Sequence, residues 1–172
     1  LQLRDSLFDQ PNYRLVYGES DGLPGLVIDR YGDVLVVQIT TAGMEAVREL
    51  LLQVLNRVLA PTGILLRNDT PVRALEGLSQ EPEVIGEVPE TVTLEEGGVR
   101  FEVPLAAGQK TGWFYDQRSN RTAMHKYVHN KRVLDVFSYI GAWGLQAVAA
   151  GASEVCCVDA SPVAVSFLEK NS

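Results

Sequence analysis

The stretch VLDVFSYIGAWGLQAVAAGASEVCCVDASP, from Val133 to Pro162, decides the fold class of this chain. Residues 133–137 are apolar except for one acid, which is typical of a parallel strand buried on both faces by helices. Small residues over 142–150 predict a helix that lies close to the sheet, and residues 154–158 predict the next strand. This strand–helix–strand order indicates an α/β protein.

An acid stands where the second of these strands ends. Because the crossover between parallel strands is right-handed, the loop after Phe137 and the carboxylate of Asp159 meet at one edge of the sheet. A carboxylate in that place accepts charge-assisted hydrogen bonds from both hydroxyls of a ribose. The pattern therefore predicts a nucleoside site at this edge.

The loop between strand and helix limits which nucleoside fits. A dinucleotide fold requires GxGxxG, but residues 137–144 read FSYIGAWG and place bulky side chains where a pyrophosphate would need room. A nucleoside that carries an amino acid has no phosphate to accommodate. Asp135 is placed to face its ammonium group, and nearby aromatic rings favour a sulfonium cation. These features together predict S-adenosylmethionine as the cofactor.

The charge of the chain is uneven. The net charge of −7 argues against a chain that grips nucleic acid along its whole length, yet residues 110–132 contain six basic side chains and one acid. This basic segment suits a polyanionic substrate, and it is also compatible with an ordinary solvated helix face. No apolar run is long enough to span a bilayer, so we expect a soluble, cytoplasmic protein without a membrane partner.

The cysteines and histidines do not form a metal site. Cys156 and Cys157 are adjacent on a predicted strand, so they point to opposite faces and are interpreted as buried reduced thiols. His125 and His129 lie four apart on a predicted helix, without a third ligand or an HExxH arrangement. We expect exposed helix histidines and no bound metal.

Short strands and one helix precede the nucleoside unit. Residues 26–40 predict a hairpin, and apolar positions at helical spacing predict a helix from Met44 to Leu59. Residues 79–90 contain two prolines and four acids, which indicates a boundary or an exposed connection. Residues 91–105 predict a further hairpin.

Three stretches carry a family resemblance that touches most of the chain. They are YRLVYGESDGLPGLVIDRYGDVLVVQ (Tyr13–Gln38), GQKTGWFYDQRSNR (Gly108–Arg121), and VLDVFSYIGAWGLQA with VDASPVA (133–147 and 158–164). The chain resembles the RlmI-like family of class I methyltransferases, which methylate C5 of cytosine in large-subunit ribosomal RNA with S-adenosylmethionine. The second stretch is the most specific, since no general nucleoside fold requires it.

The resemblance implies an architecture of three parts. Residues 1–9 would be the exit of an N-terminal RNA-binding PUA domain, and residues 10–90 a central α+β domain. Residues 91–172 would be the N-terminal part of a Rossmann-like class I methyltransferase domain without its substrate-side half. In the family a cysteine thiolate adds to cytosine C6 before the methyl group reaches C5. We expect that cysteine beyond Ser172, so this fragment alone is expected to be inactive.

The resemblance also assigns the cofactor residues. Tyr115, Gln117 and Arg118 would close over the methionine end of S-adenosylmethionine. The loop residues Phe137, Ser138, Tyr139 and Gly141 would line the pocket with Asp135, and Asp159 with Ala160 would hold the ribose. RNA would be bound through other domains and through residues 110–132. The oligomeric state stays open, with a homodimer as one alternative.

Three other functions remain as alternatives. An oxidoreductase with a nicotinamide dinucleotide would require the missing GxGxxG. A non-catalytic scaffold with a degenerate nucleoside site is disfavoured by the intact Asp135 and Asp159. A methyltransferase that acts on another RNA or on a protein would share every cofactor feature described above.

Overall fold

The computed structural model describes residues 2–172, so Leu1, the first residue of the expected PUA exit, lies outside the described residues. The chain divides into two compact units, Leu1–Pro89 and Glu90–Ser172. No helix among the described residues has the length and apolar character needed to cross a membrane.

The first unit is built on a five-stranded sheet with strand order β1-β2-β3-β4-β5. The pairs β1–β2, β2–β3 and β4–β5 are antiparallel, and β3–β4 is parallel. The strands are β1 Asn12–Tyr17, β2 Leu26–Tyr31, β3 Val34–Ile39, β4 Gly63–Leu66 and β5 Glu83–Gly86. The helices are α1 Gln2–Leu7, α2 Ala42–Glu45, α3 Arg48–Leu59 and α4 Pro71–Leu75.

The core of the first unit lies between the sheet and α3. Leu52 and Leu55 of α3 are buried among apolar side chains of β2, β3 and β4. The single helix predicted from Met44 to Leu59 is wrong in one respect, because α2 ends at Glu45 and α3 starts at Arg48. Several of its apolar residues also stay exposed, because the Leu52 face is the one that packs on the sheet. These exposed residues are Val47, Leu50, Val54 and Val58.

The second unit contains a hairpin followed by a parallel strand pair. Its strands are β6 Thr91–Glu96, β7 Val99–Pro104, β8 Arg132–Val136 and β9 Glu154–Val158. Its helices are α5 Arg118–Val128, α6 Ala142–Ala149 and α7 Pro162–Asn171, with a 3-10 turn at Tyr115–Gln117 before α5. The β6–β7 turn is Gly97-Gly98, both at positive φ (62° and 78°), as a two-residue hairpin turn requires.

Strands β8 and β9 pair in parallel, with Asp135 opposite Cys157. Helix α6 packs on one face of the pair, where Gly144 lies close to the side chains of Asp135, Val155 and Cys157. The expected strand–helix–strand unit is therefore present. Ser161 caps α7 by accepting a hydrogen bond from the amide of Ala164 at 3.3 Å.

The expected burial of β8 and β9 on both faces is wrong in this structure. Each strand alternates between exposed and half-buried positions, and the exposed face is not covered by any of residues 2–172. The expected burial of both thiols is also wrong, since Cys156 is exposed and Cys157 is half-buried. The exposed face consists of the ion pair Arg132 and Glu154 together with Leu134, Val136, Cys156 and Val158.

Candidate cofactor-binding site

The loop from Phe137 to Gly141 joins β8 to α6 in an unusual backbone conformation. Phe137, Tyr139 and Gly141 all have positive φ, at 63°, 50° and 87°. Such angles are uncommon for residues with a Cβ, and they cluster at sites where function requires them. Glycine therefore suits position 141 chiefly because of its positive φ, and a side chain there would also press on Leu145 and Leu168.

Asp159 holds this loop against the end of β9. One carboxylate oxygen, Oδ2, accepts the amide of Tyr139 at 2.8 Å, and the other, Oδ1, accepts the amide of Ser161 at 2.9 Å. A carboxylate has about four lone-pair sites, so each oxygen keeps capacity for another donor. Asp159 can thus organise the loop and still accept hydroxyl groups of a ribose.

Asp135 belongs to β8 and lies beneath the start of α6. Its Oδ2 accepts the amide of Gly144 at 2.9 Å. Burial raises the pKa of Asp135 above its ordinary value, the Gly144 amide opposes that rise, and the negative charge of Asp159 adds to it. The carboxylate is therefore engaged in anchoring the first turn of α6.

A pocket of about 430 Å³ opens at the carboxyl ends of β8 and β9. This volume lies within the range of about 300–1,000 Å³ that is usual for small-ligand sites. Six residues predicted from the sequence line it: Gln117, Phe137, Ser138, Tyr139, Asp159 and Ala160. Five further residues that the sequence did not indicate also line it: Gln109, Phe114, Arg121, Ala142 and Trp143.

Four predicted site residues are not part of the pocket lining: Tyr115, Arg118, Asp135 and Gly141. Their positions show how they support it. The guanidinium of Arg118 lies over the ring of Tyr115, 5.6 Å from its centroid, and its Nε donates to Glu96 at 3.2 Å. Gly141 and Asp135 shape the loop and the start of α6, as described above. Direct contact of these four with a cofactor stays a prediction.

Ser138 carries a buried polar atom that no described residue satisfies. Its side chain is buried, and its Oγ has no hydrogen-bond partner among residues 2–172. Buried polar atoms are normally paired, because leaving one unpaired costs about 1–3 kcal/mol. Since Ser138 also lines the pocket, a polar ligand group fits beside it.

Two aromatic residues, Phe114 and Tyr139, form another part of the pocket wall. The hydroxyl of Tyr139 donates to the carbonyl of Gly112 at 3.0 Å and accepts the amide of Gln109 at 3.1 Å. The rings of Tyr139 and Phe114 meet edge to face, with centroids 5.8 Å apart. The segment before α5 is thereby tied to the loop after β8, and both contribute to one cavity.

A buried carboxylate behind the pocket was missed by the sequence reasoning. Glu96 accepts from Arg121 Nε at 2.5 Å, Trp113 Nε1 at 3.1 Å and Gln146 Nε2 at 3.0 Å, in addition to Arg118. Strand alternation contained the signal, because Glu96 lies two residues after the buried Leu94 on the same face of β6. An acid on that face requires a partner inside the unit.

The histidine prediction needs one correction. His125 is half-buried rather than exposed, and its Nε2 lies 3.2 Å from Oε1 of Gln146 on α6. His129 is exposed as expected. Among the described residues, no group of three or more His, Cys, Asp or Glu side chains is arranged to hold a metal ion.

The family model described as "S-adenosylmethionine-dependent methyltransferase" matches residues 41–169. The chain belongs to the S-adenosylmethionine-dependent methyltransferase family. Among curated relatives, ribosomal RNA large subunit methyltransferase I of Aeromonas salmonicida is 48% identical over 162 residues, which cover 93% of this chain and 41% of the relative. The same-named protein of Photobacterium profundum is 43% identical over 174 residues, which cover 100% and 43%. The expected RlmI-like resemblance is thus confirmed, and the chain spans less than half of these relatives' length.

Solved structures show the same fold. A candidate SAM-dependent methyltransferase from Streptococcus mutans superposes with a TM-score of 0.81 at 24% identity, covering 99% of this chain and 44% of that one. A tRNA m1G37 methyltransferase of M. jannaschii gives a TM-score of 0.63 at 24% identity, covering 86% and 44%. The predicted Rossmann-like fold class is confirmed.

S-adenosylmethionine is the cofactor of this family, and the residues present fit it. The pocket offers an acid at a strand end, an unpaired hydroxyl and aromatic walls, without a glycine-rich cradle for phosphates. These are the groups that the ribose and the polar amino-acid end of the cofactor require. The cofactor prediction is confirmed at the level of the family.

Proposed function

We propose that the protein carrying this chain methylates C5 of a cytosine in large-subunit ribosomal RNA, with S-adenosylmethionine as methyl donor. The observation that carries the proposal is the pocket at the β8–β9 edge, with Asp159 and the unpaired Ser138 Oγ in its wall. The names of the curated relatives support ribosomal RNA as the substrate class. The cytosine C5 position is supported by the resemblance in residues 108–121.

The chain's own residues would bind and orient the cofactor. Asp159 would accept hydrogen bonds from the ribose, and Ser138 Oγ would meet a polar group of the ligand. Gln117, Phe137 and Tyr139 would enclose the remainder, since all three line the pocket. When bound, S-adenosylmethionine supplies an electrophilic methyl group on its sulfonium sulfur.

The cysteine nucleophile is proposed to lie outside residues 1–172. Neither Cys156 nor Cys157 lines the pocket, and burial together with the charge of Asp135 raises the pKa of the Cys157 thiol. A raised pKa disfavours the reactive thiolate. We therefore expect residues 1–172 alone to bind cofactor without transferring its methyl group.

We propose that only some of the basic residues in 110–132 contact RNA, because others are already paired with acids. Arg118 and Arg121 are paired with Glu96, and Arg132 is paired with Glu154. The exposed lysines Lys110, Lys126 and Lys131 are the remaining cations of residues 110–132. Phosphate contacts of this kind weaken steeply as salt is raised.

Calorimetric titration of the complete protein tests the cofactor half of the proposal. We expect micromolar binding of S-adenosylhomocysteine, no binding of NAD, and a loss of at least tenfold in affinity in Asp159→Ala. Glu154→Ala is the matched control, because it removes an exposed acid at the other end of β9. Binding of NAD alone would sink the methyltransferase proposal, and binding of neither ligand would favour a scaffold.

A methyl-transfer assay tests the proposed RNA target. The complete protein is incubated with radiolabelled S-adenosylmethionine and either large-subunit or small-subunit RNA, and the RNA is digested to nucleosides for mass spectrometry. We expect 5-methylcytidine in large-subunit RNA only. Label in another nucleoside, in small-subunit RNA or in protein would contradict the assigned target.

A further inference from the structure

Arg121 is the most deeply buried cation of the pocket wall. It is 1% exposed, yet it lines the cavity beside Phe114 and Gln117. Its Nε donates to Glu96 Oε1 at 2.5 Å, and its Nη2 donates to Glu96 Oε2 and to the Phe114 carbonyl, each at 3.0 Å. Two of its three nitrogens are therefore held in fixed directions.

The third nitrogen of Arg121, Nη1, makes no hydrogen bond to any described residue. It is also not among the fully enclosed side-chain atoms that lack a partner, which are Asn68 Oδ1, Thr70 Oγ1 and Ser138 Oγ. Because Arg121 lines the pocket, this nitrogen is the donor that remains for a ligand. A guanidinium held on two sides presents its remaining N–H groups with little loss of rotamer entropy.

The charges around Arg121 favour an anion. The single carboxylate of Glu96 lies against two guanidinium groups, those of Arg118 and Arg121, so the cluster carries a net positive charge. Burial alone would raise the pKa of Glu96, but its hydrogen bonds and charge contact with Arg121 lower it overall, which keeps the ion pair charged. The Trp113 ring, 4.8 Å from the guanidinium carbon, covers Arg121 from another side.

Glu96 connects this cation to the rest of the pocket. Through Gln146 it reaches α6, whose first residues Ala142 and Trp143 line the cavity. Through Trp113 it reaches the segment before α5. A single carboxylate thus orients Arg121 and joins two elements of the wall.

We propose that Arg121 binds the carboxylate of an amino-acid-bearing nucleoside, with Glu96 as the residue that positions it. In terms of the proposed function, the carboxylate is that of the methionine end of the cofactor, and the inference rests on that function. Asp159 would select the ribose and Arg121 the amino-acid end. The two contacts together would distinguish the full cofactor from a simpler nucleoside.

The test compares two ligands that differ only at the amino-acid end. S-adenosylhomocysteine has the carboxylate, while 5′-methylthioadenosine lacks it. In calorimetric titrations of the complete protein, Arg121→Met should weaken S-adenosylhomocysteine by about 10- to 100-fold, the size of a lost hydrogen bond to a charged group. The affinity for 5′-methylthioadenosine should change by less than about twofold, because that ligand never contacts Arg121.

Two further variants separate positioning from folding. Glu96→Gln should weaken S-adenosylhomocysteine by about 5- to 10-fold, because fewer molecules hold Arg121 in the competent orientation. Leu94→Ala, a buried residue two positions earlier on β6, is the matched control for destabilisation alone. It should lower the melting temperature and leave the ratio of the two affinities unchanged.

Each outcome decides between explanations. If Arg121→Met weakens both ligands equally, or weakens neither, the carboxylate assignment is overturned while the proposed function stands. If the unaltered protein binds neither ligand, the proposed function itself fails. Should Arg121→Met not fold, Arg121→Lys keeps the charge but loses the planar fork. A selective loss of at least threefold for S-adenosylhomocysteine is then expected, and an unchanged ratio would overturn the inference.

Discussion

The two units each contain a parallel strand pair, and the burial of these strands differs. In the first unit, neighbouring residues Val36 and Val37 of β3 are both 0% exposed, so both faces of the strand are covered. In the second unit, Leu134 of β8 is 66% exposed and Val136 is 47% exposed. Strand β3 lies between β2 and β4, whereas β8 pairs with β9 in a two-stranded sheet. An apolar residue of a parallel strand is therefore buried only where neighbouring elements cover its face.

The largest expected effect compares the two strands directly. Leu35→Ala in β3 should lower the free energy of unfolding by about 2–5 kcal/mol, because it leaves a cavity in a covered core. Leu134→Ala in β8 should cost less than about 0.5 kcal/mol in the 172-residue chain. Urea unfolding followed by circular dichroism measures the first. Fluorescence reports the second, since both tryptophans, Trp113 and Trp143, lie in the second unit. Equal losses of unfolding free energy in the two variants would contradict the difference in burial between β3 and β8.

Acid should weaken the second unit through its buried ion pair. The lowered pKa of Glu96 means that its contribution is present above the ordinary value of 4.5 and is lost as pH falls through the folded-state pKa. We expect a loss of about 1.5–3 kcal/mol, the size of a hydrogen bond to a charged group. Urea midpoints from tryptophan fluorescence at pH 6 and pH 3 measure it. The drop should be smaller in Glu96→Gln, and an identical drop in both proteins would contradict the assignment.

The two faces of β9 can be distinguished by thiol chemistry. Cys156 is exposed, while burial, Asp135 and Cys156 raise the pKa of the Cys157 thiol. With Ellman's reagent at neutral pH we expect one thiol to react at least about tenfold faster than the other, because the thiolate is the reactive form. Cys156→Ser should remove the fast phase. Two equally fast thiols would show that the α6 face is open as well.

The smallest expected change in stability is that of a substitution at Asp135, which lies beneath α6. Because its folded-state pKa is raised, its favourable contribution is present at low pH and is lost as pH rises through that pKa. Asp135→Asn stays neutral and keeps an acceptor for the Gly144 amide. We expect it to raise stability at pH 7 by less than about 1 kcal/mol and to have no benefit at pH 3. Melting temperatures at both pH values test this, and a marked loss at pH 7 would refute it.

Structural features that depend on residues near one another in sequence were predicted well. The loop after β8, the acid ending β9 and the Ser161 cap of α7 follow from strand periodicity and turn chemistry, and the structure brings Phe137, Ser138, Tyr139 and Asp159 to one pocket. Arg121 and Glu96 were not predicted as a pair because they are separated by 25 residues, and their side chains meet only when the chain folds. Spacing rules contain no information about such contacts.

The sequence alone determined the strand–helix–strand unit, the absence of a pyrophosphate loop and the choice of cofactor, because these depend on local backbone geometry and on residues at fixed spacing. Only the tertiary structure decided which atoms remain unpaired in the pocket, namely Ser138 Oγ and Arg121 Nη1. It also decided that Leu134 is exposed while Leu35 is buried. Burial and hydrogen-bond satisfaction are properties of all neighbours in space, and a linear pattern cannot supply them.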